Sequence, residues 1–206
     1  MHPLWAELAG IIAAALSTAS GLTQLGRLLR AHTALGVATG TWLLTTMSTV
    51  TWLGYAISVS SPIQVFANGS WMFFVLVLTW MMLRHRGSTA AMLGIFAVFA
   101  SLAVFTSLGV ISSAIPGTCG ILASLLMSLP QIRYAIRHGR GPGVSLLGWA
   151  LSAFAATMWF VYGVGTRQIP VFINTGIQTV LLFTVVAALI ANPTHTSSDQ
   201  QRDATV

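Results

Sequence analysis

Two pairings of an indole with a carboxamide recur along the chain: Trp52 precedes Asn68, and Trp159 precedes Asn174. An indole offers a flat apolar face on which the carbon-hydrogen side of a pyranose can lie, and an amide supplies both donor and acceptor to neighbouring hydroxyls. Such a set suits a neutral polyhydroxylated solute. The carboxylates are Glu7, Asp199 and Asp203, and the five histidines fall in tails or loops. No general acid-base pair and no metal site is therefore visible, and neither a cofactor nor an enzymatic activity is expected.

The elements that hold these side chains follow from composition. Of 206 residues, 55% are hydrophobic and 6% charged, whereas about a quarter of positions carry charge in a soluble domain. The chain reads as an all-α polytopic membrane protein, with room for seven crossings of about 20 residues and little else. Apolar runs place spans at Leu4 to Leu25, Leu35 to Ser58, Pro62 to Leu83, Ala90 to Ile111, Ile115 to Ile136, Val144 to Gly165 and Ile169 to Ala191. The stretch 192–206 is polar and is expected to be a disordered cytoplasmic tail. The first span lacks a basic leader and a clear cleavage site, so it reads as a retained helix.

The net charge of +6 comes from nine arginines and no lysine. Arg27, Arg30, Arg84, Arg86, Arg133, Arg137, Arg140 and Arg202 fall on one face of the seven-span arrangement and Arg167 on the other. By the positive-inside rule the N-terminus is outside and the C-terminus in the cytoplasm, the plasma membrane being the expected location. The lipid bilayer is the expected partner and nucleic acid is not. A homo-oligomer is compatible with the sequence. Cys119 stands alone and cannot form an internal disulfide.

The sequence also repeats. At an offset of 107, Ser17 meets Ser124, Gln24 meets Gln131, Arg30 meets Arg137, Trp42 meets Trp149, Trp52 meets Trp159 and Tyr55 meets Tyr162. After a gap of one residue, Asn68 meets Asn174. Each repeat holds three spans, and the extra span between them restores the same orientation. The expected organisation is a first triple-helix bundle at 1–86, a linker helix at 87–112 and a second bundle at 113–191. Parallel repeats about an axis along the membrane normal are one of the transporter architectures.

At about 1.5 Å of rise per residue, Trp52, Asn68, Trp159 and Asn174 all lie roughly 7 to 9 Å outward of mid-membrane. Four helices thus bring four such residues to one level. Other roles are open to the same residues. Tryptophan also serves in interfacial belts, and asparagine also ties helices together across an interface. Tyr55 and Tyr162, three residues beyond the tryptophans, suit an outer gate or packing as well as ligand contact. Ser20, and Met127 at its repeat position, are placed to floor the pocket.

Ser128-Leu129-Pro130-Gln131, with Arg133 and Gly143-Val144-Ser145-Leu146-Leu147 after it, resembles the proline-glutamine motif and following loop of the PQ-loop superfamily. Trp159-Phe160-Val161-Tyr162-Gly163 with Asn174 resembles the second and third helices of a bundle in the SWEET and SemiSWEET sugar transporters, and Trp52-Leu53-Gly54-Tyr55 with Asn68 repeats it. The resemblance implies a two-bundle SWEET-like protein that facilitates diffusion of mono- or disaccharides. It implies pocket roles for Trp52, Trp159, Asn68 and Asn174, with Ser20 and Met127 at the family's variable pocket positions. Pro130 and Gln131 match its hinge motif, whereas the first repeat carries Thr23 and Gln24 there.

A facilitative sugar carrier working by alternating access is the leading expectation, because a proton-driven carrier normally needs an intramembrane ionisable group. A PQ-loop carrier for an amino acid or another small metabolite is the alternative. A non-transporting membrane scaffold is a third reading; a retinal protein is excluded by the absence of lysine.

Overall fold

A computed structural model describes residues 2–31, 39–84, 89–108, 112–138 and 146–191. These form seven helices: α1 (Leu4–Ala31), α2 (Thr39–Ser58), α3 (Pro62–Arg84), α4 (Thr89–Ser107), α5 (Ala114–His138), α6 (Leu146–Gly165) and α7 (Ile169–Ala191). No strand occurs among the described residues. Leu4–Thr23, Leu146–Gly165 and Ile169–Ala191 are long and apolar enough to cross a membrane, and 62–77 and 114–126 are shorter apolar stretches. The expected tail at 192–206 lies outside the described residues.

The helix ends differ from the apolar runs where polar helix formers follow. α1 continues to Ala31 rather than Leu25, and α5 to His138 rather than Ile136. Leucine, arginine and alanine sustain a helix beyond the hydrocarbon because their side chains lose little freedom in it. Within the spans, hydroxyl side chains return to their own backbone. Thr49, Thr157 and Thr175 donate to the carbonyls of Thr45, Ala153 and Val171 at 2.7 to 3.0 Å. A hydroxyl satisfied four residues back needs no water, so it can sit at membrane depth.

In each triplet the third helix lies between the other two: α3 packs on α1 and α2, and α7 packs on α5 and α6. The triplets meet along two matched seams, α1 on α6 and α2 on α5. Two triple-helix bundles in the same orientation thus flank a pseudo-two-fold axis. α4 lies along α2 and touches α5 only slightly. Buried alanines are frequent on both helices of the α1 to α6 seam: Ala6, Ala9 and Ala13 on α1, Ala153 and Ala156 on α6. Small side chains let backbones approach, which matters in lipid because apolar burial itself drives little association there. Large apolar residues such as Phe66, Phe73 and Val180 face outward.

The α2–α3 and α6–α7 turns are built alike. Ser60 and Arg167, 107 positions apart, are left-handed with φ of 52° and 58°. Ser61 N–H donates to the Ala56 carbonyl and Gln168 N–H to the Gly163 carbonyl, closing each helix with a Schellman-type cap. A side chain in this conformation costs roughly 1–2 kcal/mol. Ser60→Gly and Arg167→Gly are each expected to raise the melting temperature of the purified protein by about 2–4 °C, read by thermal unfolding in micelles; a lowered midpoint would show that the side chains hold the turns.

Candidate functional site

The two seams position the tryptophans reciprocally. Trp52 on α2 donates its Nε1–H to Ser124 Oγ of α5 at 3.4 Å, and Trp159 on α6 donates to Ser17 Oγ of α1 at 3.3 Å. Each indole is therefore tied to the opposite bundle by the same serine of the repeat. Gly120 gives Trp52 its place, since a Cβ there would come within 2.7 Å of the indole Cε2. Each indole also meets its tyrosine edge to face: Trp52 with Tyr55 at 5.6 Å between centroids, and Trp159 with Tyr162 at 5.4 Å. This T-shaped geometry is the one aromatic quadrupoles favour.

Between the bundles is a cavity of about 270 Å³, and Trp52, Asn68, Trp159, Asn174 and Ser20 all line it. Asn68 on α3 gives its Nδ2–H to the Gln64 carbonyl of its own helix at 2.9 Å. Asn174 on α7 is 8% exposed, and its buried Oδ1 has no hydrogen-bond partner. A buried acceptor left unmade costs roughly 1–3 kcal/mol. Neither asparagine joins one helix to another by a side-chain bond. Ser20 Oγ sits 2.7 Å from Ser152 Oγ and donates to the Gly148 carbonyl at 3.1 Å, fastening α1 to α6. Thr23 does not line the cavity; its Oγ1 donates to the Ser20 carbonyl at 2.7 Å. The side chains of Gln24, Met127, Pro130 and Gln131 lie outside the described residues.

Tyr55 and Tyr162 close the chamber at the end that carries the N-terminus. They do not line it; they are buried in one cluster with Ala9 and Val171, directly beyond the tryptophans. A glycine makes the room for Tyr162: a Cβ on Gly10 would come within 2.7 Å of Tyr162 Cδ2, whereas one on its repeat partner Gly117 would meet Pro170 Cβ at 2.8 Å and Tyr55 only at ordinary contact distance. Tyr162 and Ser61 share a hydrogen bond of 2.7 Å between their hydroxyls, and Gln64 Nε2 donates to Gln168 Oε1 at 2.7 Å. Both bonds run from the first bundle to the second, so separating the bundles at this end requires breaking them.

Four further contributors were not evident from sequence. Ser17 and Ser124 stand out only as a repeat match, and their part as acceptors for the indoles needed the seams. Trp71 and Gln178 also line the cavity. They lie three and four residues past Asn68 and Asn174, hence on the same helix faces, and that spacing was the available signal. Among the described residues that line the cavity none is charged. The arrangement offers hydroxyls, amides and π-faces to an uncharged guest.

Two like-oriented triplets, a linking helix and a chamber between them define a seven-helix fold built on an internal repeat. The chain is similar to a eukaryotic SWEET transporter of known structure, with a TM-score of 0.71, 16% identity, and coverage of 92% of this chain and 96% of that one. The seven-helix SWEET fold is therefore the fold of this protein. No protein-family model and no curated protein sequence matches the chain.

Proposed function

We propose that the protein is a facilitative sugar transporter of the plasma membrane that moves mono- or disaccharides by alternating access. The observation that carries this reading is a chamber that both tryptophans and both asparagines line, with no charged group among the described residues around it; one of those asparagines, Asn174, also holds a buried Oδ1 without a partner. A sugar hydroxyl supplies the missing donor, and the indoles suit its apolar face. The units taken to move are 1–86 and 113–191, with 87–112 as the link; the interleaved packing of α3 and α7 within their triplets supports this division. Rocking at the seams would break the Tyr162 to Ser61 and Gln64 to Gln168 bonds and open the end that the arginine distribution places outside.

The test is uptake of labelled glucose, galactose, mannose, xylose and sucrose into proteoliposomes containing the purified protein, with and without a proton gradient. Saturable uptake of at least one sugar, undiminished when the gradient is collapsed, is the expected result. Strict dependence on external acid would remove the uniport mechanism, and stabilisation by amino acids alone in a thermal-shift screen would remove the sugar.

A further inference from the structure

The two walls of the chamber stop being equivalent one helical turn beyond the asparagines. On α3, Trp71 follows Asn68 by three positions, and the edge of its indole sits where Gly21 of α1 carries no side chain; a Cβ there would lie within 2.5 Å of Cζ3. At the repeat position of Gly21 stands Ser128 of α5. Its Oγ donates to Gln178 Oε1 at 3.0 Å, and Gln178 Nε2 donates to the Ser124 carbonyl at 3.0 Å. Gln178 follows Asn174 by four positions, is 8% exposed, and lines the same cavity as Trp71. In the first repeat its place is taken by Met72. One wall thus presents an extra aromatic ring, and the other an amide held by two hydrogen bonds to α5.

Resting on the sugar-carrier reading, we propose that Trp71 and Gln178 form a one-sided subsite that accepts a single sugar ring and fixes its orientation. The ring lays its carbon-hydrogen face on Trp71. Its hydroxyl edge turns to Gln178 and the unpartnered Asn174 Oδ1. Both side chains lie roughly 4.5 to 6 Å along the membrane normal from their asparagines, so one pyranose spans the two levels. Gln178 retains donor and acceptor capacity for this: Nε2 has a second hydrogen and Oε1 a second lone pair. A volume of about 270 Å³ lies just under the range of about 300–1,000 Å³ typical for drug-sized ligands, which suits one ring and not two. A near-symmetric pair of indoles and asparagines cannot by itself distinguish the two ends of a sugar; a ring on one wall and an amide on the other can.

The test is isothermal titration of the full chain with glucose, galactose, mannose, xylose and sucrose, for the wild type and for Trp71→Leu, Trp71→Phe, Gln178→Met and Asn174→Ala, each checked for monodispersity. The wild type is expected to bind at least one monosaccharide about tenfold or more tightly than sucrose. Trp71→Leu weakens that monosaccharide by about tenfold, and Trp71→Phe, which keeps a π-face, by less. Gln178→Met, close to volume-conserving, compresses the affinity ratios among glucose, galactose and mannose to within about threefold, because the hydroxyl-reading group is gone. If Asn174→Ala loses binding while the Trp71 and Gln178 variants keep wild-type affinity and discrimination, this subsite is wrong and the carrier reading stands. Sucrose bound as tightly as any monosaccharide also overturns it. No sugar bound by the wild type overturns both.

Discussion

Asn174→Ala is expected to leave the protein as stable as the wild type, or slightly more so, while reducing sugar uptake about tenfold or more. The two effects part because Oδ1 is buried without a partner. Removing it relieves a desolvation cost of roughly 1–3 kcal/mol, which offsets the packing lost with the amide. In the proposed carrier the same atom, once opened to the chamber, would accept from the solute, and forfeiting one such bond weakens binding by up to about tenfold before any effect on the transition between states. Asn68→Ala differs, since Asn68 Nδ2 already serves the Gln64 carbonyl. Thermal unfolding in micelles and uptake in proteoliposomes, measured on the same preparations, check the split. Lowered stability with undiminished uptake would make Asn174 a packing residue.

Gly163→Ala is expected to have the largest effect on stability. A Cβ there would come within 2.7 Å of the Phe172 backbone nitrogen and 3.0 Å of its Cα. Neither atom belongs to a flexible side chain. The contact can be relieved only by moving α6 from α7, next to the cap that Gln168 makes on the Gly163 carbonyl. Overpacking of this kind costs roughly 1–3 kcal/mol, and in a chain of this size that lowers the melting temperature by roughly 2–12 °C. Gly69→Ala is the comparison, because a Cβ at Gly69 meets nothing within 4 Å. Equal midpoints for the two variants would mean that α6 and α7 yield freely at their joint.

The helix count was legible because a bilayer imposes a length on every crossing, and apolar runs of that length are hard to hide. The fold class was legible from the order of Trp52, Tyr55 and Asn68 in one repeat and Trp159, Tyr162 and Asn174 in the other, since aromatic and amide matches in register do not arise from apolarity alone. The packing order within a triplet was not. A span apolar on all sides gives no periodic stripe to say which face meets protein and which meets lipid. The repeat points to neither Trp71 nor Gln178, because Trp71 has no tryptophan at its repeat position and Met72 occupies that of Gln178.

Duplication in parallel, and not in inverted topology, has a consequence for how the empty protein rests. Inverted repeats exchange roles when a carrier turns from one side to the other, so its two facing forms resemble each other by construction. Here both copies set their tyrosines at the same extremity, sealed by Tyr162 with Ser61 and by Gln64 with Gln168. No operation maps that extremity onto the opposite one, which other residues build. For the proposed carrier, the unloaded population is then a matter of two unlike closures competing, and the ratio between them can drift by mutation at one mouth without disturbing recognition in the middle.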